Sequence, residues 1–337
     1  MSDAPPTTPA AEDRPATAEG GSTLPSTAVV MSTYGRRDAL PRVLPALLDQ
    51  DATEYVLVVN GSRDGSLELL REATAGDDRV QVLFLENKGL TNAQWVAAQT
   101  ATSDVVLFVD DDVLLHPGLV RGHALRHAEA PGRVVVGFMP TRVPEQPGPR
   151  SFTTRLYAQE YLGVVEKWER DPASVLPNLW MGNVSFRRED YLGLQAHLGA
   201  PGLRYHQDKH LGVVAQRAGL EAVFDRTLRA DHVHERSLEA FLEQARRQGW
   251  DQRLIHELHP DVLGPYDPDR FAVGLPRPAR ALLAATAAEP VRRPVVAALS
   301  AAVGATGRVG RYGVQTNIAK LLRRIETQRG ARSYPNG

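Results

Sequence analysis

The sequence predicts an α/β fold: a mostly parallel sheet flanked by helices, followed by a helical C-terminal extension. Three observations carry that prediction. Short apolar runs alternate with segments of helical periodicity from residue 27 to about 140. The runs are apolar at consecutive positions, as in strands buried on both faces under covering helices. Polar turn-forming clusters, NGSRDGS (60–66) above all, punctuate the runs.

The elements follow in order. Residues 1–26 are rich in Pro, Ala, Thr and acidic side chains, with a single Leu. They have nothing to bury, which predicts a disordered tail, and they lack the basic start and apolar run of a signal peptide. TAVVMS (27–32) reads as a strand. Leu40, Val43, Leu44, Leu47 and Leu48 then fall at helical spacing, with Pro45 tolerable only in the first turn. EYVLVV (54–59), VQVLFL (80–85), VVLFV (105–109) and VVVGFM (134–139) are further strands, with helices near 66–74, 90–101 and 117–130 between them. After about residue 141 the alternation stops. A Pro-rich stretch (141–151) leads to a helix at 153–168, an extended LWMGNVSFRR (179–188), a helix starting near Asp208, a strand near 221–224 and a helix at 237–248.

The remaining residues read as loosely packed helices rich in Ala and Arg. Pro294 to Gly304 suits a buried or interfacial helix, and the series Gly304, Gly307, Gly310, Gly313 a flexible connection. The expected division is a tail (1–26), two halves of one domain (27–140 and 141–250) and the extension (251–337). No run approaches the roughly 18 apolar residues of a membrane span.

Lys and Arg total 39 against 40 Asp and Glu, so the chain gives no electrostatic reason to bind nucleic acid. It has no cysteine, which excludes disulfides and Cys-ligated zinc and suits a reducing, cytoplasmic compartment. A peripheral position at the inner membrane face is compatible with that expectation. The helices after 277 could pack a homodimer, touch a membrane surface or cap the domain.

One stretch is physically awkward. VVLFV runs into Asp110, Asp111 and Asp112, three carboxylates at the end of a buried strand, where their repulsion is poorly screened. If the strand continues, Asp110 and Asp112 share a side and suit a hard divalent cation, Mg2+ or Mn2+. Otherwise the aspartates cap the helix near Pro117. Ligands of parallel sheets bind at the carboxyl ends of strands, where STYGRR (32–37), NGSRDGS and the aspartates all lie.

Other candidates carry two readings each. Asp208 stands where a helix N-cap would stand, and also suits a general base. His232 and His234 share a face in an extended chain, as metal ligands or as buried hydrogen-bonded histidines. Trp180 suits sugar stacking or core packing. Gly182 and Asn183 mark a close approach of backbone to ligand, or a bend. Asp64 orders its turn. Of Arg187 and Arg188, at most one should reach a phosphate.

VVMSTYGRR, VLVVNGSRDGS, ENKGLTNAQWVA and VVLFVDDDVLLHPG, followed by LWMGNVSFRRED, YHQDKHLGVVAQRAGL and ADHVHERSLEAFLEQARRQG, form an ordered set over residues 27–250. The set resembles bacterial family 2 glycosyltransferases, with their GT-A, Rossmann-like fold. The resemblance implies transfer of a sugar from a nucleotide-diphosphate sugar to an acceptor hydroxyl, inverting the anomeric centre with Mn2+ or Mg2+. The acceptor would be a small molecule, a lipid-linked molecule or a glycan. It implies Thr33, Tyr34, Arg36 and Asn60 at the nucleotide, and Asp110 and Asp112 as a DXD pair spaced by Asp111. Asp208 would be the base, His232 or His234 would lie near the metal and diphosphate, and Trp180, Gly182 and Asn183 would line the sugar pocket.

The chain departs from the pattern at Val59-Asn60, often two acidic residues in the family, and at Gln207, the first member of an acidic pair. Trp250 is displaced from the QxxRW motif of processive members, so a single transfer is expected. A nucleotidyltransferase would want more glycine than STYGRR supplies. A metal hydrolase on His206, Asp208, His210, His232 and His234 would leave the triplet unexplained. A non-catalytic sugar-nucleotide binder would not need Asp208.

Overall fold

In the computed structural model, the described residues are 24–130, 132–146, 148–199, 202–233 and 236–335. Most of the expected tail and His234 lie outside them. β1 (Thr27–Thr33), α1 (Leu40–Leu48), β2 (Glu54–Asn60), α2 (Ser66–Ala73), β3 (Val80–Leu85), α3 (Leu90–Thr100) and β4 (Val105–Asp110) alternate as the apolar runs require. Every residue of β2 is buried, as a central strand covered on both faces demands. Then come β5 (Val113–Leu115), α4 (Leu119–Glu129), β6 (Arg133–Phe138), α5 (Phe152–Arg170), β7 (Asn183–Arg187), α6 (Arg188–Leu198), α7 (Gln207–Arg217) and β8 (Glu221–His232). α8 (Leu238–Leu258), α9 (Pro260–Leu263), α10 (Arg277–Ala285), α11 (Glu289–Arg308) and α12 (Tyr312–Arg332) complete the chain.

The sheet has eight strands in the order β3-β2-β1-β4-β7-β6-β8-β5. β3, β2, β1 and β4 are parallel, and β7 runs antiparallel to both β4 and β6. That reversal matters for position: Asn183, the first residue of β7, pairs with Val109 near the end of β4. Gly182 is thereby set beside Asp110. α1 runs through Pro45 rather than starting at it; the ring lies on the exposed side of the helix, and the carbonyl that loses its donor belongs to Pro41, itself exposed in the first turn.

Beneath β7 lies a buried polar chain. Asn183 Nδ2 donates to the Leu228 carbonyl at 2.9 Å, so its Oδ1 accepts from His123 Nε2 at 3.0 Å. Ser185 Oγ then donates to His123 Nδ1 at 2.7 Å and accepts from His127 Nε2 at 2.8 Å. Both imidazoles are held neutral. Burial lowers His123 to about 4 and His127 to about 3.

A depressed histidine pKa means that the unfolded chain takes up the proton first as pH falls. The stabilisation is full above about 6.5 and drains away between there and about 4, by about 3 kcal/mol for His123 alone. Urea unfolding is expected to show a midpoint that drops from pH 7 to pH 5. His123→Gln should flatten that slope by about one proton; an unchanged slope would contradict the neutral assignment.

The extension is not loose. Phe152 and Leu156 of α5 and Phe241 of α8 form an apolar core with Val303, Ala319 and Leu322 of α11 and α12. Gly249 of α8 lies against the Thr327 carbonyl, and Gly330 of α12 against the Arg246 carbonyl, so a Cβ at either would overlap main chain. The glycine series is likewise not a flexible connection. Gly304 and Gly307 are inside α11 and Gly313 inside α12, and Gly307 makes room for the Gln315 side chain. Only Gly310 of the four, at φ +71°, forms the turn. Among the described residues, no helix is long and apolar enough to cross a membrane.

Candidate active site

The carboxyl ends of β1 and β4 lie side by side, Ser32 opposite Asp110. The strand stops at Asp110, and Asp111 and Asp112 form the turn into β5, so strand alternation does not govern where they point. A cation of the chain itself, Arg36, meets the triplet. Arg36 Nη2 donates to Asp112 Oδ2 at 2.9 Å, with its Nε 3.6 Å from Asp111 Oδ1. Thr33 Oγ1 donates to Asp111 Oδ2 at 2.6 Å, and His232 Nε2 stands 3.1 Å from Asp112 Oδ1. His232 is placed there by β8, whose last residues pair with β5.

Asp110 is held above the usual carboxylate range, first by burial and then by the Asp112 charge, with His232 pulling the other way. Burial also raises Asp111, against the Thr33 hydrogen bond and Arg36. Gly182 has φ +107°, and a Cβ there would stand 2.5 Å from Asp110 Oδ2. Its missing side chain is the space that Asp110 uses.

Asp110 and Asp208 line the same cavity of about 500 Å3, with Trp180, Tyr157, Lys209 and Arg236. α7 begins at Gln207 with His206 at its N-cap, so Asp208 lies in the first turn rather than at the cap. Its Oδ1 accepts from the Lys209 backbone N–H at 2.8 Å. Burial nevertheless lifts Asp208 to about 6, outweighing the backbone donors and Lys209. Trp180 packs on Tyr157 and Tyr161, ring centroids 5.4 and 5.3 Å away, while lining the cavity; Tyr157 also meets His232 at 5.1 Å.

Several candidates fall elsewhere. Asn183 does not line this cavity: its amide is spent on the chain beneath β7. Tyr34 is exposed, and Asn60 ends β2 with its buried Oδ1 unpartnered among the described residues. Asp64 ties loops together, accepting from Ser66 Oγ at 2.7 Å and the Arg37 N–H at 3.1 Å. Neither Arg187 nor Arg188 reaches a phosphate position. Arg187 donates to the His127 carbonyl, and Arg188 to those of Ala98 and Gln99, at the ends of α4 and α3.

His210 is committed to His259 and the Leu198 carbonyl, both at 2.8 Å, which disperses a histidine-based hydrolase site. Among the described residues, no three His, Asp or Glu side chains converge as a metal cage, so Asp110, Asp112 and His232 do not form one. Sequence reasoning missed Tyr157, Lys209 and Arg236. Tyr157 and Tyr161 sit four apart on α5, a spacing that reads as ordinary core.

Comparison with known proteins bears on the family and the fold. Residues 28–194 match the family model for glycosyl transferase family 2. The chain is 23% identical over 252 residues to the glucosyl-dolichyl phosphate glucuronosyltransferase of Haloferax volcanii, covering 69% of this chain and 78% of that one. It is 36% identical over 118 residues to an undecaprenyl-phosphate 4-deoxy-4-formamido-L-arabinose transferase of Aeromonas hydrophila, covering 33% of this chain and 36% of that one. The fold is shared with the mannosyltransferase PcManGT of Pyrobaculum calidifontis, solved with GDP-Man and Mn2+. That match has a TM-score of 0.58 at 20% identity and covers 93% of this chain and 88% of the other. With the model running from β1 into α6 and the GT-A fold in common, this chain belongs to family 2 of the glycosyltransferases and is an enzyme.

Proposed function

We propose that the enzyme moves a sugar from a nucleotide-diphosphate sugar to an acceptor hydroxyl in a single, inverting, metal-assisted displacement. The observation that carries this reading is the pair of half-buried carboxylates, Asp110 and Asp208, on one cavity. The diphosphate occupies the edge formed by Thr33, Arg36 and the aspartate turn. Asn60, with its buried unpartnered oxygen, accepts a hydrogen bond from the nucleotide beside Tyr34.

Asp112 and His232, whose Oδ1 and Nε2 stand 3.1 Å apart, would hold one divalent cation. Two protein ligands leave positions for phosphate oxygens and water, consistent with no three-residue cage among the described residues. The PcManGT complex with GDP-Man and Mn2+ supports that choice. Bound there, Mn2+ or Mg2+ offsets the charge on the departing diphosphate. Asp110 faces the sugar side, Trp180 and Tyr157 offer ring faces, and Asp208 takes the acceptor proton.

Attack opposite the leaving group inverts the anomeric centre. Single transfer is supported by Gln244, which donates to the Tyr205 hydroxyl at 2.6 Å, and by Trp250, which packs on Tyr334 and Arg204. The relatives that act with dolichyl or undecaprenyl phosphate favour a lipid-linked acceptor, met from the cytoplasmic side of a membrane.

Thermal shift tests the metal. Mn2+ with the matching nucleoside diphosphate, at a hundredfold excess over Kd, should add about 2.7 kcal/mol and raise Tm by several degrees. Asp112→Ala should lose the metal-dependent part of that rise. A full rise in Asp112→Ala would remove Asp112 as a ligand.

A further inference from the structure

The catalytic cavity does not end at Gln248. Glu160 and Gln248, which line it, also wall a constriction of about 10 Å3 and an outer hollow of about 400 Å3. These two side chains are thus common walls of three neighbouring spaces between Asp208 and the C-terminal helices. At the constriction, Arg323 Nη2 donates to Glu160 Oε2 at 2.5 Å and to Gln248 Oε1 at 3.3 Å. Its guanidinium stands 5.9 Å over the Phe241 ring.

The outer hollow is strongly one-signed. Arg270, Lys320, Arg323 and Arg324 line it against a single carboxylate, Glu160, which Arg323 already holds. Arg324 donates to the backbone carbonyls of Phe271 and Val273, and Arg270 to His256, so no carboxylate of the hollow offsets either charge. Cations gathered in a hollow focus the field there, and guanidinium forks match the oxygens of phosphate or carboxylate. Most of these residues belong to the extension, outside the residues that match the family model.

We propose that this hollow recognises a phosphate or carboxylate group of the acceptor, whose hydroxyl reaches Asp208 through the constriction. The proposal rests on Asp208 serving the acceptor. The incoming anion takes Arg323 from Glu160, and the freed Glu160 turns to Lys209, whose charge it already feels from the cavity side. The Arg323–Glu160 pair is thus a gate that only an anionic acceptor opens.

Calorimetry on the full chain tests this with two matched pairs. One is a ten-carbon isoprenyl phosphate and its alcohol; the other is a disaccharide ending in glucuronate and its glucose counterpart. In at least one pair the anionic member should bind tenfold or more tightly than the neutral one, and the responding pair identifies the source of the anion. Lys320→Glu combined with Arg324→Gln should erase that preference while neutral-member binding stays. Equal binding within both pairs would overturn the proposal, as would a preference that survives in the double variant. Inorganic phosphate binding as tightly as the anionic probes would also overturn it. The nucleoside diphosphate shift with Mn2+, read on the same variant, reports an intact donor half. Its absence in the wild type would sink the donor assignment alone and leave the calorimetric comparison intact.

Discussion

Asp208→Asn is expected to lower turnover by about a hundred- to ten-thousandfold while raising the melting temperature. The two effects share one cause. Burial lifts the carboxyl from 3.8 to about 6, so the folded chain holds the proton more tightly than the unfolded one. The contribution of Asp208 to wild-type stability is therefore full below about pH 4 and falls as pH rises to about 6, by about 3 kcal/mol. A neutral amide escapes that cost. The variant should melt higher at pH 7.5, and the two curves should converge near pH 4. The proposed base acts in its ionised form, so kcat should climb through about pH 6 and level off above it. Normal turnover in the variant would remove Asp208 as the base; an unraised Tm at pH 7.5 would refute its buried, costly charge.

Gly182→Ala should have the next largest effect, and on two properties at once. The new Cβ would meet Asp110 Oδ2 at 2.5 Å, its Cγ at 2.9 Å and the Met139 sulfur at 3.0 Å, from a backbone at φ +107°. Strain at such a φ costs roughly 1–3 kcal/mol before any displacement of Asp110 is counted. Urea unfolding should register that loss, and the shift with Mn2+ and nucleoside diphosphate should shrink because the aspartate turn moves. Gly163→Ala, within α5 and with nothing in reach of its Cβ, should be neutral or stabilising by up to about 1 kcal/mol. Similar outcomes at the two positions would mean that Gly182 is not shaped around Asp110.

The parts of the molecule written in local pattern were legible. The strands β1 to β4 are apolar runs of the right length, and their carboxyl-end loops follow from that. The direction of β7 was not legible, because NVSFR reads the same whether parallel or antiparallel. Yet that direction is what sets Gly182 against Asp110. Asn183 looked like a cavity residue for the same reason that Gly182 did, and only the position of His123, sixty residues earlier, turns its amide away. Asp208 carried both a cap and a base signal, and burial, a property of the assembled fold, sets its protonation. Gly307 looked like part of a flexible connection, and proximity to Gln315 explains it instead.

The glycine contacts between α8 and α12 have a consequence for how this enzyme can diversify. Gln248 and Arg323, on these two helices, face each other across the inner passage, and main chain already touches main chain at Gly249 and Gly330. The spacing at the constriction is therefore fixed by backbone, while the charge of the outer hollow beside it is set by side chains, Lys320 and Arg324 among them. On the proposed acceptor route, size and charge selectivity would then vary separately. Drift at Lys320 or Arg324 retunes one, and only a change at the glycines reaches the other.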